Sequence, residues 1–452
     1  MTVKDKHIVV IGAARSGIAA ALLLKRQGAS VFVSDFGGIK EEFKNELQAK
    51  HISFEEHGHT EKASEGEFMV LSPGVPTEAP IVQSYLNEGK KVYSEIEVAS
   101  WFTNDRVVAI TGSNGKTTVT NWIGHTWKQT TKNFAVGGNI GTAFSEVADQ
   151  VMDNRDVILE ISSFQLDHIH SFHPNISVIL NITPDHLDRY GNDFDLYAAA
   201  KFRITEYQNT DDWFIFNYDD PTIKAFVEKL QDSNKHPKLW SFSNQQEVPE
   251  GAFVRNNDII FKFNNKEETL MPVNEVGLNG RHNLNNGLAT ALAARAAEIK
   301  NDAIRESLRS FMGVEHRLEN VRVLDGVKYI NDSKATNVNA VWFALDSIHV
   351  PMTLIIGGRD KGNDYTEIVD LIKEKVHTII AIGESQNRIE EQLGQAAPIF
   401  KKANDMAEAV RMARKGAKKG EVVLLSPACS SFDMFDDYEH RGRVFKDEVH
   451  KL

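Results

Sequence analysis

Short apolar runs alternate with longer amphipathic stretches along most of the chain. Near the start, Ile8–Ile11 is apolar and mostly β-branched, a glycine turn follows, and Ile18–Leu24 then continues at a helix-compatible length. That order predicts strand, turn and helix. The runs VFVSD and EFMVLSPGVP add two further strands, the second ending in a Pro-Gly-Val-Pro turn. A second series opens with VVAIT, a glycine loop and a helix from Lys116, and continues through strands at DVILEIS and NISVILNIT. It then carries a helix with YAAAKFRITEY, a strand at DDWFIFN, a β-rich stretch at GAFVRNNDIIFKFNN and the alanine-rich helix NLNNGLATALAARAAEIK. In a third series YIND, TLIIGG, TIIAIG and VVLLSPA alternate with helical stretches. Strand and helix in alternation predict parallel sheets. The expected fold class is α/β in three domains: an N-terminal Rossmann-like domain (1–96), a central P-loop ATPase-like domain with a parallel sheet (97–312) and a C-terminal Rossmann-like α/β domain (313–452).

Bulk properties narrow the class. A chain of 452 residues suits about three domains. Net charge of −12 speaks against a general nucleic-acid binder, which would carry basic clusters. The single cysteine, Cys429, excludes an internal disulfide framework and fits a reducing compartment. No apolar stretch approaches the ~18 residues needed to cross a bilayer, and the N-terminus does not read as a signal peptide. The expectation is a cytoplasmic protein without a membrane span.

Two glycine turns carry candidate chemistry. In GAARSG the middle position of the dinucleotide fingerprint is Ala14 rather than glycine, while Asp35 stands roughly 20 residues on, where a ribose-binding carboxylate belongs. The turn fits a diphosphate or nucleotide, with a nicotinamide cofactor or a purely structural turn as the alternatives. In the second turn Gly112, Gly115, Lys116 and Thr117 give G-x-x-G-K-T after an apolar strand, although Ile110 replaces the first glycine of the full P-loop. Backbone N–H groups and a helix N-terminus bind phosphate there, the lysine adds a point charge, and the threonine hydroxyl suits Mg²⁺. Downstream, Glu160 ends VILE, His186 follows NITPD, and Lys201 lies in an apolar-faced helix; together they suggest a metal site beside the loop. The tracts His168, His170, His173 and His51, His57, His59 lack cysteines and a shared helical face, so they are expected to be exposed polar residues.

The motifs TGSNGKTT, GGNIG, LEISSFQLD, LNITPDHLDRY, AAKFRI, GRHNLNN, EHRLE, YINDSKATN, GGRDKG and LLSPACSSFD run the length of the chain. Together they resemble the Mur ligases, ATP-dependent amide-forming enzymes of peptidoglycan assembly. SSFQLD with NDSKATN is similar to the D-glutamate-adding branch. The resemblance implies UDP-N-acetylmuramoyl-L-alanine and D-glutamate as small-molecule substrates; a monomer is expected, and because the ligand positions come from all three domains, so is domain closure on binding. It implies that ATP phosphorylates the alanyl carboxylate and that the glutamate amine displaces phosphate. Gly112, Ser113, Asn114, Gly115, Lys116, Thr117 and Thr118 would bind ATP, with Asn283, Arg317 and Asp332. Lys116, Glu160, His186 and Lys201 would be catalytic. Thr117, Glu160 and His186 would hold two Mg²⁺ ions, with Lys201 as a carbamate. Arg15, Ser16, Asp35, Ser72, Pro73, Gly74, Asn139 and Gln165 match positions near the UDP substrate. Lys334, Thr336, Lys361, Ser431, Phe432 and Tyr438 match the D-glutamate positions. Folylpolyglutamate synthetases resemble the two later domains but have no need of the first. A P-loop switch without ligase activity would leave Lys201 and NDSKATN without a purpose, and a dehydrogenase reading fails on Ala14.

Overall fold

The computed structural model describes residues 2–150, 154–185, 187–232, 235–278, 280–360 and 362–452. The chain separates into two compact units, Met1–Phe311 and Met312–Leu452. The first unit holds two sheets. One is five-stranded and wholly parallel, in the spatial order Ser53–Glu55, Ser30–Ser34, His7–Ile11, Phe68–Leu71, Lys91–Ser94. Its chain order reverses between His7–Ile11 and Phe68–Leu71, and open α/β sheets bind ligands at the strand carboxyl ends beside such a reversal. Gly12 (φ +92°) and the Ser72-Pro73-Gly74 turn stand there. A Cβ on Gly12 would lie 2.7 Å from Ser72 Cβ, so the two turns touch only because this residue is glycine.

The second sheet has nine strands, in the order Lys266–Pro272, Asp258–Phe263, Gly251–Arg255, Lys238–Ser243, Trp213–Asn217, Ile176–Ile179, Arg106–Thr111, Asp156–Glu160, Phe134–Gly138. From Gly251–Arg255 onward neighbours are parallel, and the other two strands add antiparallel hairpins. Asn256-Asn257 and Asn264-Asn265 join them, all four at positive φ as two-residue type I′ turns demand. Arg106–Thr111 is buried on both faces, which explains its unbroken apolar run.

The two sheets share packing. Leu23, Ile96 and Ala99 from the first layer belong to the same apolar cluster as Val107, Phe144, Leu159 and Phe172 of the second. Glu97, almost fully buried, accepts N–H donors from His170, Ser171 and Phe172 and the indole of Trp101. These bonds hold its carboxyl below the ordinary range despite burial. This joint makes one compact unit of two sheets that the sequence patterns separate.

The second unit carries a six-stranded sheet, ordered Glu319–Leu324, Val327–Asn331, Val422–Leu425, Met352–Gly357, Val376–Ile382, Ile399–Lys402. Only the Glu319–Leu324 edge is antiparallel. Apolar clusters cover both faces, as a largely parallel sheet requires. No described helix is long and apolar enough to cross a membrane.

Candidate active site

The loop after Arg106–Thr111 is held from its neighbours. Ser113 N donates to Asn181 O at 2.9 Å, and Asn114 N donates to Asn181 Oδ1 at 2.8 Å. The Ser113 hydroxyl donates to Thr183 O and lies 2.8 Å from the Tyr197 hydroxyl. Gly115 begins helix Lys116–Lys128 at φ +86°, and a Cβ there would fall 2.6 Å from Asn286 Oδ1 on helix Arg281–Ala296. Asn283 is buried at the start of that second helix, 3.3 Å from the Asn286 amide nitrogen. Thr117 and Thr118 are buried in the first turn after the loop.

Two ammonium groups converge on one carbonyl. Lys116 Nζ donates to Gly112 O at 2.7 Å and to Ser113 O at 2.9 Å, while Lys201 Nζ donates to the same Gly112 O at 3.1 Å. Lys201 is 2% exposed, with its nitrogen 4.7 Å from the centre of the Tyr197 ring. Burial, and secondarily the charge of Lys116, lowers its pKa well below the ordinary lysine value. Such a lysine reaches the neutral amine form far more readily than an exposed one.

Glu160 ends the adjacent strand and is 2% exposed. Its Oε1 accepts the Asn139 amide at 2.9 Å, while Oε2 has no hydrogen-bond partner among the described residues. Leaving a buried carboxylate oxygen unpaired is costly, and a hard divalent cation takes such an oxygen. With the Thr117 hydroxyl in the neighbouring helix turn, the donor set fits Mg²⁺. His186 lies outside the described residues. Gln165 is fully buried; its Oε1 caps Ser162 N at 3.0 Å and its amide nitrogen has no partner among the described residues.

In the first sheet, Asp35 turns inward. Its Oδ2 accepts Ala13 N at 2.6 Å and its Oδ1 accepts Gly37 N at 2.8 Å, so the carboxylate fastens the glycine turn. Arg15 is exposed and Ser16 half-buried at the start of helix Arg15–Arg26, Ser72 is buried, and Pro73 and Gly74 lie toward the surface. Arg189, which sequence reasoning missed, donates to Val75 O at 3.2 Å beside that turn and stacks 4.4 Å from the Phe164 ring centre.

In the second unit Asp332 is buried; it accepts the Ser426 hydroxyl at 2.7 Å and Leu318 N at 3.2 Å. Burial pushes its pKa up to about 7, against the pull of the Ser426 hydroxyl and the charge of half-buried Arg317. Lys334 Nζ stands 5.5 Å from the Tyr438 ring centre, and Ser333 Oγ donates to Tyr438 O at 2.8 Å. Ser431 is buried with its hydroxyl unpartnered among the described residues, whereas Thr336 and Phe432 are exposed. Lys361 lies outside the described residues. Arg441, also missed from sequence, is fully buried and donates to Ser333 Oγ, Ser333 O and Cys429 O, joining the loops that carry Lys334 and Ser431.

The histidine tracts hold no metal cluster among the described residues, but they are not uniformly exposed as expected. His168 is half-buried, bonds the Thr77 hydroxyl at 2.9 Å, and has its pKa lowered to about 4 by burial. It belongs to the joint between the two sheets. The described three-carboxylate-or-imidazole group, Glu315, His316 and Glu319, already has a cation: Lys446 pairs with both glutamates.

Family models match three successive segments: the MurD N-terminal domain over residues 7–81, the Mur ligase middle domain over 110–294 and the Mur ligase glutamate ligase domain over 316–429. A protein of Salinibacter ruber named UDP-N-acetylmuramoylalanine--D-glutamate ligase is 45% identical over 100% of this chain and 99% of its own. One of the same name from Chlorobaculum parvum is 46% identical over 99% of this chain and 98% of its own. The chain belongs to the Mur ligase family. It is an amide-forming ligase of peptidoglycan precursor synthesis. Solved Mur ligases share its fold at low identity. MurF from Acinetobacter baumannii aligns with a TM-score of 0.61 at 16% identity, over 98% of this chain and 93% of its own. UDP-N-acetylmuramate-alanine ligase from Thermotoga maritima aligns at 0.59 and 17%, over 99% of both chains. The α/β architecture with three sheets is thus the Mur ligase fold.

Tyr197 and Asn181, which brace the loop through Ser113 and Asn114, were also missed from sequence. Tyr197 was findable, standing four positions before Lys201 on one helix, a spacing that puts the two side chains together. Asn181 and Arg441 leave no such local signal.

Proposed function

We propose that this chain joins D-glutamate to the alanyl carboxylate of UDP-N-acetylmuramoyl-L-alanine, with ATP converted to ADP and phosphate. The observation that carries the reading is the convergence of Lys116 and Lys201 on Gly112 O beside a buried glutamate with an unpartnered oxygen. A carboxylate is a poor acyl electrophile because its oxide does not leave. Phosphorylation by ATP supplies a leaving group, and the glutamate amine then expels phosphate as the amide forms. Phosphoryl transfer needs positioning and charge neutralisation above all.

Lys116 holds the terminal phosphates, and the loop N–H groups, from Gly112 to Thr118, line the rest of the ATP site with Asn283; Arg317 and Asp332 of the second unit are the further nucleotide positions that the family resemblance assigns. Thr117 and Glu160, with His186 and a carbamylated Lys201, would hold Mg²⁺, which would supply neutralisation of phosphate charge. The low proton affinity of Lys201 favours the neutral amine that carbamylation by CO₂ requires. Asp35 shapes the turn at which Arg15, Ser16 and Ser72–Gly74 receive the uridine diphosphate; Asn139 and Gln165 face the muramoyl end. Lys334, Lys361 and the unpartnered Ser431 hydroxyl receive the carboxylates of D-glutamate, with Thr336, Phe432 and Tyr438 around them. The enzyme works as a cytoplasmic monomer.

The test is mass analysis of the product formed from UDP-N-acetylmuramoyl-L-alanine, ATP and Mg²⁺ with D-glutamate, L-glutamate, L-alanine and a diamino acid in competition. One product, the D-glutamyl adduct, with ADP in equal amount and ¹⁸O passing from the acceptor carboxyl to phosphate, is expected. Nucleotide hydrolysis without an acceptor, or a different adduct, overturns the reading.

A further inference from the structure

A buried phenol beneath the second unit's loops has no place in the chemistry above. Tyr365 is 0% exposed, and a buried hydroxyl needs partners. Its hydroxyl donates to Asp360 Oδ2 at 2.8 Å and lies 3.2 Å from Cys429 Sγ. The other Asp360 oxygen accepts Gly362 N at 2.6 Å and Asn363 N at 2.8 Å, closing a tight turn. Arg388 flanks the same carboxylate at 3.5 Å.

Asn363 in turn donates to Ala428 O at 3.0 Å. Ala428 is a non-glycine residue at φ +59°, a left-handed conformation that persists only where surroundings enforce it. Two residues on, Ser430 exchanges backbone hydrogen bonds with Arg359, N to O at 3.2 and 2.9 Å. The loop after Met352–Gly357 is therefore laced to the loop 427–431, and Ser431 follows directly.

We infer that Tyr365 is a positioning residue for the amino-acid substrate, acting through Asp360 and Cys429 to fix the loop that presents Ser431. The inference rests on the assignment of D-glutamate to this unit. Tyr365 touches no substrate itself. Its hydroxyl bridges a carboxylate on one loop and a thiol on the other, so removing it cuts one tie between them, leaving the Asn363 and Arg359 bonds, without changing the ring that fills the core. Burial raises the Cys429 thiol pKa, which together with its 1% exposure keeps it slow toward thiol reagents. Because Cys429 is the only cysteine, its labelling rate reports the lacing at one site.

The experiment compares Tyr365→Phe, Asp360→Asn and Lys334→Ala in the full chain. Tyr365→Phe is expected to raise KM for D-glutamate roughly three- to tenfold, the worth of one hydrogen bond. It should leave kcat and the KM values for ATP and the UDP substrate unchanged and speed labelling of Cys429 by a disulfide reagent, with D-glutamate slowing it again. Asp360→Asn moves the same two readouts in the same direction and decides the matter if the first variant does not fold. An unchanged KM for D-glutamate in these variants, while Lys334→Ala raises it, overturns the positioning role and leaves the substrate assignment standing. If Lys334→Ala also leaves that KM unchanged, the assignment falls and the positioning role with it.

Discussion

Two turns in the first unit are built alike and do different work. Each follows an interior strand of its sheet, opens on a glycine at positive φ and feeds a helix. At Gly12 the neighbouring strand sends in a carboxylate, and Asp35 accepts the N–H of Ala13 in the turn. At Gly112 the neighbouring elements send in a buried amine, and Lys201 joins Lys116 on one carbonyl. Shared backbone geometry offers a helix N-terminus to an anion in both cases. What the neighbouring side chain grips separates the two: Asp35 fastens its turn through backbone N–H groups, whereas Lys201 is buried against a carbonyl of the loop itself.

Substitutions at the two turns test that contrast. The largest effect is expected at the lysines: Lys116→Ala or Lys201→Ala should cut kcat by at least about 10³-fold, measured as ADP release, because each removes charge stabilisation in a desolvated site. Short carboxylic acids should partly restore Lys201→Ala, and full activity of the unrescued variant would sink the carbamate. Next, Glu160→Gln should lose about 10²-fold in kcat and shift the Mg²⁺ dependence upward. At the other turn, Asp35→Asn should raise KM for the UDP substrate about tenfold with kcat retained, a binding loss rather than a chemical one. Equal kcat losses at Asp35 and Glu160 would erase the distinction.

A last effect, on stability rather than activity, concerns the joint between the sheets. Glu95 is wholly buried, accepts Ser145 N at 2.6 Å, and leaves its second oxygen unpartnered among the described residues. Burial pushes its pKa up to about 7. The folded state therefore keeps a proton that the unfolded chain, with a carboxyl near ~4.3, releases. Stability is fullest below that lower value and is lost as pH rises toward about 7. Relative to pH 4, Glu95→Gln should gain about 1–3 kcal/mol over the parent at pH 8, read from denaturant midpoints at the two pH values. A pH-independent difference would show that Glu95 does not titrate there.

The loop at Gly112 was legible because its parts are contiguous: strand, glycines, lysine and threonine stand within one short segment. Glu160 and Lys201 were legible as polar residues in apolar settings. What each polar group does with its hydrogen bonds was not. The inward turn of Asp35 depends on Ala13, the burial of His168 on Thr77, and the role of Tyr365 on Cys429, 64 positions away. Such pairs form only after the sheets assemble, and periodicity carries no trace of them. The Asn-Asn hairpins were half-visible, since their strands alternate, while the type I′ requirement lies in the backbone.

Setting two lysine nitrogens on a single oxygen disfavours charge on both until an anion arrives. Sulfate or inorganic phosphate alone should then raise the melting temperature of the first unit, and the gain should vanish in Lys116→Ala.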